Sequence, residues 1–169
     1  RLAAEQMRER IWNELGFTVN VGISTNKLLA KMAGDFEKPN KVHTLFPEEV
    51  ESKMWPLPVW DLFLVGAATE KKLNGLGIYT IGDLANTELS VLRKKLGKQG
   101  ETIWHFANGR NADMVTPEAA ENKGYGNSIT TAEDVTTRAV AHRVLLSLCE
   151  TVAMRMRKDG KSGSCVAIH

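Results

Sequence analysis

Cysteine is nearly absent from this chain of 169 residues: only Cys149 and Cys165 occur, too few for a disulfide framework or a zinc spacing. Both are expected to be buried, reduced thiols. Glycine and proline number 14 and 5, which excludes a collagen-like or low-complexity chain. The four histidines, His43, His105, His142 and His169, are scattered with no cysteine or carboxylate at ligand spacing, so no metal site is expected. No apolar run approaches the roughly 18 to 20 residues that span a bilayer, and the opening RLAAEQMRER has no signal-peptide core. A cytoplasmic protein with no membrane contact is the expectation. Charge of one sign is missing too, since the net charge is only +2.

What is present is an ordinary globular balance, 43% hydrophobic and 25% charged, long enough for about one to two domains. Charge is unevenly spread. Acid gathers in PEEVES (Glu48, Glu49, Glu51), and base in EKKL (Lys71, Lys72), RKKLGK (Arg93, Lys94, Lys95, Lys98) and RMRKDGK (Arg155, Arg157, Lys158, Lys161). Such clusters suit a phosphate binder, and any one of them suits a solvated helix face equally well.

Periodicity divides the chain into three blocks. In the first, Ala4, Met7, Ile11 and Leu15 share one face of a helix over 2–15 that ends at Gly16. FTVNVGI alternates as a strand with one buried face, a helix opens at Ser24 or Thr25 and carries Leu28, Leu29 and Met32, and KVHTLF closes as a second strand. Two strands bury no sheet alone, so this block reads as the end of a larger α/β domain.

The second block, 56–116, is all-α. Pro58 starts a helix carrying Trp60, Leu62 and Leu64 up to Gly66, and Thr69–Leu73 continue as a helix that Gly75 and Gly77 end. Thr80 with Asp83 has capping-box character. Leu89, Leu92 and Leu96 mark a further helix into LGKQG, and ETIWHFANG is helical again. Two units of helix, glycine turn and helix result.

The third block follows the polar linker VTPEAAENK. GNSITTAEDV is expected as a strand, Ala141, Leu145, Leu148, Val152 and Met156 as one stripe of a helix from Thr137 to Gly160, and SCVAIH as a closing strand. These elements leave open edges, so the block reads as truncated or completed by a partner.

The glycine turns carry the chemistry. The first N–H groups of a helix lack partners and sit at the positive end of its dipole, so a phosphate docks there where no side chain blocks it. Around Gly66, Ala67, Ala68 and Thr69, with Lys71 beside them, and around Gly97, Lys98, Gln99 and Gly100, the pattern suits a backbone phosphate clamp. A plain αα-hairpin with a routine glycine stop explains either turn alone.

LVGAATEKKLNGLGIYTIGDLA resembles the helix-hairpin-helix of the Y-family DNA polymerases, the translesion group that includes the ImpB/MucB/SamB proteins. VGISTNKLLAKMAGDFEKPN resembles the end of their palm, LGKQGETIWHFANGRN the rest of their thumb, and KGYGNSITTAEDV the entry to their little finger. The matches fall in the family's order over nearly the whole chain. The hairpin alone is shared with glycosylases, ligases and nucleases; GIS-x-NK-x-LAK followed by KPN is specific to the family.

The resemblance implies an α+β fragment: an α/β palm end at 1–55, an all-α helix-hairpin-helix thumb at 56–116, a linker at 117–124 and a partial α/β little finger at 125–169. It implies that Lys38 of KPN reaches the triphosphate of an incoming dNTP. Gly66–Thr69, Lys71 and Gly97–Gly100 then hold primer-template DNA, and Lys123, Tyr125 and Gly126 meet the template backbone. Lys27 and Lys31 match family positions as well. Family members use Mg²⁺ held by paired carboxylates, in palm motifs upstream of what matches Arg1; a sliding clamp is a candidate partner of the parent protein. Neither Asp-x-Asp nor Ser-x-Asp-Glu occurs in this chain, so it is expected to contain no catalytic residue and not to polymerise by itself. Two positions depart from the family pattern: Ala68 stands where a second glycine is usual, and Gly124 where a serine is usual, and weaker clamping is expected at both. Competing classes are an excision glycosylase or nuclease with Asp83 as its carboxylate, and a non-catalytic scaffold.

Overall fold

The computed structural model describes residues 1–116 and 121–168. They form two compact units, Arg1–Val115 and Thr116–His169. Part of the expected linker at 117–124, and His169, lie outside the described residues.

The first unit begins with helix α1, Leu2–Leu15, closed by Gly16 at a left-handed φ of 70°. Of its expected apolar face only Ala4 is buried, while Met7 and Leu15 stand exposed. Strand β1 is Val21–Ile23 and strand β2 is Val42–Thr44, paired in parallel with Val21 opposite Val42 and Ile23 opposite Thr44. The strand expected from Phe17 is thus three residues long: Phe17 is exposed, and pairing begins where Val21 N–H reaches the Lys41 carbonyl at 2.9 Å. Parallel strands need a crossover. Helix α2, Lys27–Asp35, supplies it, capped by Asn26, whose Oδ1 accepts the Leu29 N–H at 2.8 Å. The helix lies so close that a Cβ built on Gly22 would sit 1.8 Å from the Ala30 carbonyl oxygen. Asn20 locks the return, donating to the carbonyls of Gly34 and Glu37 and accepting from the Lys41 N–H.

After turns at Pro47–Glu49 and Val50–Met54 the chain becomes helical: α3 Ala67–Asn74, α4 Ile81–Asn86, α5 Leu89–Leu96 and α6 Lys98–Ala107. The helix expected from Pro58 to Gly66 is only a 3₁₀ turn, Val59–Asp61. The backbone there is committed elsewhere, because Val59 N–H bonds the Tyr79 carbonyl and Ile81 N–H the Leu57 carbonyl, with Pro58 bridging Thr80. One core runs through the unit, joining Leu28, Leu29 and Met32 of α2 to Met54, Leu62, Leu73, Ile81, Leu84, Leu92 and Ile103. The chain is continuous in packing across residues 55 and 56.

The second unit contains helix α7, Arg138–Lys158, capped by Thr137. The expected stripe is half-buried at Ala141, Leu145, Leu148, Val152 and Met156. No strand forms at GNSITTAEDV or in the described part of SCVAIH, among the described residues. A strand needs a neighbour to take its N–H and C=O groups, and among the described residues only β1 and β2 pair in a sheet. Cys149 and Cys165 are free thiols as expected, yet both are exposed rather than buried. No helix among the described residues is long and apolar enough to cross a membrane.

The start of α4 gives a direct test of local encoding. Thr80 Oγ1 accepts the Asp83 N–H at 3.0 Å, and Asp83 Oδ2 accepts the N–H groups of Thr80 and Tyr79 at 2.8 and 3.0 Å. These backbone donors, Thr80 first, hold the Asp83 carboxyl below its ordinary value of 3.8. A carboxyl pKa lower in the folded than in the unfolded state stabilises fully above about pH 4 to 5, and that stabilisation is lost as pH falls through the lowered value. Thr80→Ala and Asp83→Ala should each lose about 1 kcal/mol at pH 7. Urea unfolding at pH 7 and pH 3 checks this, and for Asp83→Ala the difference from wild type should shrink at the lower pH.

Candidate nucleic-acid interface

Two helix N-termini in the first unit open on glycine, and the sequence dictates how. A β-turn over Leu62–Val65, closed by Val65 N–H on the Leu62 carbonyl at 2.9 Å, delivers the chain to Gly66, the N-cap of α3. Gly66 has an ordinary extended backbone, φ −102° and ψ 175°, and no atom lies within 4 Å of where its Cβ would stand. Neither conformation nor packing requires glycine there. Open space is what the glycine leaves. The N–H groups of Gly66, Ala67 and Ala68 take no backbone partner among the described residues, and all three residues are exposed.

Thr69 differs from its neighbours. It is buried, with its N–H on the Gly66 carbonyl at 2.9 Å. Its side chain faces the second turn.

At that second turn Gly97 holds φ 62° and ψ −142°, a region essentially reserved for glycine, and opens α6. Lys98 and Gln99 are exposed with N–H groups lacking a backbone partner among the described residues. Gly100 is not part of an open surface. It is buried, its N–H bonds the Gly97 carbonyl at 3.1 Å, and a Cβ there would come within 2.5 Å of the Leu92 carbonyl oxygen. Glycine at 100 therefore lets α6 approach the backbone of α5. Gln99 ties the two turns together, its Nε2 donating to the Leu64 carbonyl at 3.4 Å and to Thr69 Oγ1 at 3.3 Å.

Charge around the turns is uneven. Arg93 is taken up by Glu101, its guanidinium 2.6 Å away, which pushes the Glu101 carboxyl down. Lys71, Lys72, Lys94, Lys95 and Lys98 form no ion pair among the described residues. Positive charge there stays available to an outside anion.

Lys38 lies elsewhere in the unit, joined to Pro39 by a cis peptide bond, on a cleft of about 490 Å³ lined by Asn20, Lys31 and Asp35. Asp35 holds two ammonium groups at 2.8 Å, Lys31 on one oxygen and Lys38 on the other, and Lys31 then Lys38 lower its carboxyl from the ordinary value. Asp35 escaped the sequence reading, although its spacing of four from Lys31 and three to Lys38 signals such a pairing. Lys31 also stands 5.3 Å from the Phe63 ring centre. Lys27 is exposed.

In the second unit the segment 121–126 lies against the end of α7. Tyr125 donates to Asp159 Oδ2 at 2.7 Å, which raises the phenol's pKa, and Arg155 donates to the Gly126 carbonyl at 3.3 Å. Lys123 and Gly124 are exposed. Asp83 is committed to its cap, accepting the N–H groups of Tyr79 and Thr80. Among the described residues no three His, Cys, Asp or Glu come together as metal ligands.

A family model described as DNA polymerase-iota, thumb domain, matches residues 61–111. Models of the impB/mucB/samB family and of that family's C-terminal domain match residues 1–35 and 122–169. Over 166 residues the chain is 43% identical to a DNA polymerase IV of Clostridium acetobutylicum, covering 98% of this chain and 42% of that relative. It is 41% identical to a DNA polymerase IV of Acetivibrio thermocellus, again over 98% of this chain and 42% of the relative. The chain thus spans about two fifths of the length of these curated relatives. Among solved structures it is similar to the crystal structure of DinB from Sulfolobus solfataricus, with a TM-score of 0.60 and 28% identity over 68% of this chain and 34% of that one.

The different duties of the two glycines separate in folding experiments. Gly66→Ser should unfold at a denaturant midpoint equal to or above wild type, because serine is a good N-cap at this backbone geometry. Gly100→Ala should lose roughly 1 to 3 kcal/mol, because the added methyl meets the Leu92 carbonyl.

Proposed function

The chain belongs to the impB/mucB/samB family, the Y-family DNA polymerases, and from that premise we propose that it is the part of a translesion polymerase that grips primer-template DNA. The grip is a pair of backbone phosphate clamps. One phosphate docks on the N–H groups of Gly66, Ala67 and Ala68, and another on those of Lys98 and Gln99 above Gly97. Lys71 and Lys98 add charge at each. The observation that carries this reading is the open, conformationally unnecessary glycine at 66, whose free N–H groups Gln99 fixes in register with the second turn. Thr69 and Gly100 shape the clamps from inside.

Residues 1–55 correspond to a palm end, 56–116 to the thumb and 125–169 to the start of a little finger, in which Lys123, Tyr125 and Gly126 meet the template backbone. Lys38 contacts the triphosphate of the incoming dNTP, and Asp35 holds its ammonium at the cleft. Polymerisation in the complete protein uses Mg²⁺. The residues of this chain do not fit that ion: no cluster of three ligands exists among the described residues, and no step of the chemistry is assigned to this chain. A sliding clamp is a further partner of the complete protein.

Phosphate gripping makes a quantitative statement about salt. Affinity of the chain for primer-template DNA should fall along a straight log–log line with slope near −0.9 per phosphate contact, and Lys71→Ala and Lys98→Ala should each reduce the slope by about 1. Gly66→Ser, stable as it is, should bind more weakly. Anisotropy titrations between low and physiological salt measure all of these, and absence of binding at low salt would refute the reading. For Lys38→Ala in the complete enzyme, a higher KM for the nucleotide is expected with DNA affinity unchanged; an unchanged KM would remove Lys38 from the nucleotide site.

A further inference from the structure

Leu64 is out of place by every local rule. It occupies the third position of the turn Leu62–Val65 with φ 72°, where glycine or asparagine is the residue that fits and a leucine side chain strains the backbone. Its neighbours Leu62 and Val65 are buried, yet Leu64 itself is 51% exposed and adds nothing to the core. Phe63 is engaged, stacked on Phe106 with ring centres 6.3 Å apart. The turn is held firmly, by the Val65 N–H on the Leu62 carbonyl and by Gln99 on the Leu64 carbonyl. An apolar side chain is thus kept in solvent, in a strained conformation, immediately before the free N–H groups of Gly66–Ala68.

A strained backbone that persists at an exposed position points to use by something outside the chain. Here the surroundings identify the occupant. The flanking Lys71, Lys72 and Lys98 carry unpaired positive charge among the described residues, which disfavours an apolar or basic protein partner and favours a polyanion. Next to each backbone phosphate of DNA lies a deoxyribose, the apolar face available to a side chain that sits one or two residues from a phosphate-binding amide. We propose that Leu64 packs on a deoxyribose of the strand whose phosphate docks on Gly66–Ala68, adding a contact independent of both charge and base sequence. The inference rests on the phosphate-clamp reading and deepens it.

The test compares Leu64→Asn and Leu64→Met with wild type in binding to primer-template DNA. Asparagine tolerates the left-handed conformation and removes the apolar surface; methionine keeps that surface. Leu64→Asn should show a denaturation midpoint no lower than wild type, roughly tenfold weaker DNA binding and an unchanged salt slope. Leu64→Met should bind within about twofold of wild type. If asparagine perturbs folding, Leu64→Gly gives the same comparison, with the same expected loss. Affinity of the polar variants within about twofold of wild type, while Lys71→Ala and Lys98→Ala still reduce the salt slope, would overturn this inference and leave the clamp standing. Loss of affinity accompanied by a changed slope would overturn it too, since the residue would then act through the phosphates. Absence of DNA binding by wild type, or unchanged slopes in the lysine variants, would overturn the clamp and this contact together.

Discussion

Helix α6 is the beam on which the rest of Arg1–Val115 hangs, and it is fixed through main-chain contacts at both ends. At its start, Gly100 lets the helix approach the Leu92 carbonyl to a distance no side chain would permit. Along its length Ile103 and Ala107 are wholly buried. At its end three side chains from three different segments reach backbone carbonyls: Trp55 donates to Ala107, Asn26 to Gly109, and Asn108 back to Ala85. Each satisfies a carbonyl that a helix end or loop would otherwise bury unpaired. Asn26 does so while capping α2, so one residue couples the strand-helix-strand segment to the helical one.

That rigidity matters because backbone amides bind only where the backbone puts them. A lysine can follow a phosphate through several torsions, whereas a helix N-terminus aims its donors once. Gln99 joins the turn before α3 to the turn before α6, so that two such N-termini share one fixed geometry. The salt-bridge pattern divides the charges along the same line. Lys31, Lys38 and Arg93 are paired with acids inside the unit, while Lys71, Lys72, Lys94, Lys95 and Lys98 form no ion pair among the described residues. Exposed pairs of this kind add little stability, so the division bears mainly on what the surface can attract.

The second unit shows the reverse case. Helix α7 has the expected apolar stripe and the expected N-cap at Thr137, yet no residue of it is fully buried. Strand-like segments on both sides carry β-branched residues such as Ile129, Val166 and Ile168 into solvent. Alternation states which face a strand would bury, and only a neighbouring strand makes it one.

Local chemistry was legible wherever a residue acts on its own neighbourhood: the stop of α1 at Gly16, the capping box of Thr80 and Asp83, the start of α7 at Thr137, and the openings at Gly66 and Gly97. So was the family, because GIS-x-NK-x-LAK, KPN and the glycine hairpin are contiguous strings. Contacts between distant segments were not legible. Sequence spacing could not show that Gly100 serves packing while Gly66 serves open space, since both are glycines near the start of a helix. Nor could it show that Pro58–Asp61 would surrender its helix to pairing with Tyr79 and Thr80, or that Asp35 would hold two lysines. The sequence by itself determined the caps, turns and charge clusters, because these depend on residues within a few positions of one another. Only the tertiary structure decided which amides stay free and which glycines are filled, because that depends on which segment packs against the backbone at each point.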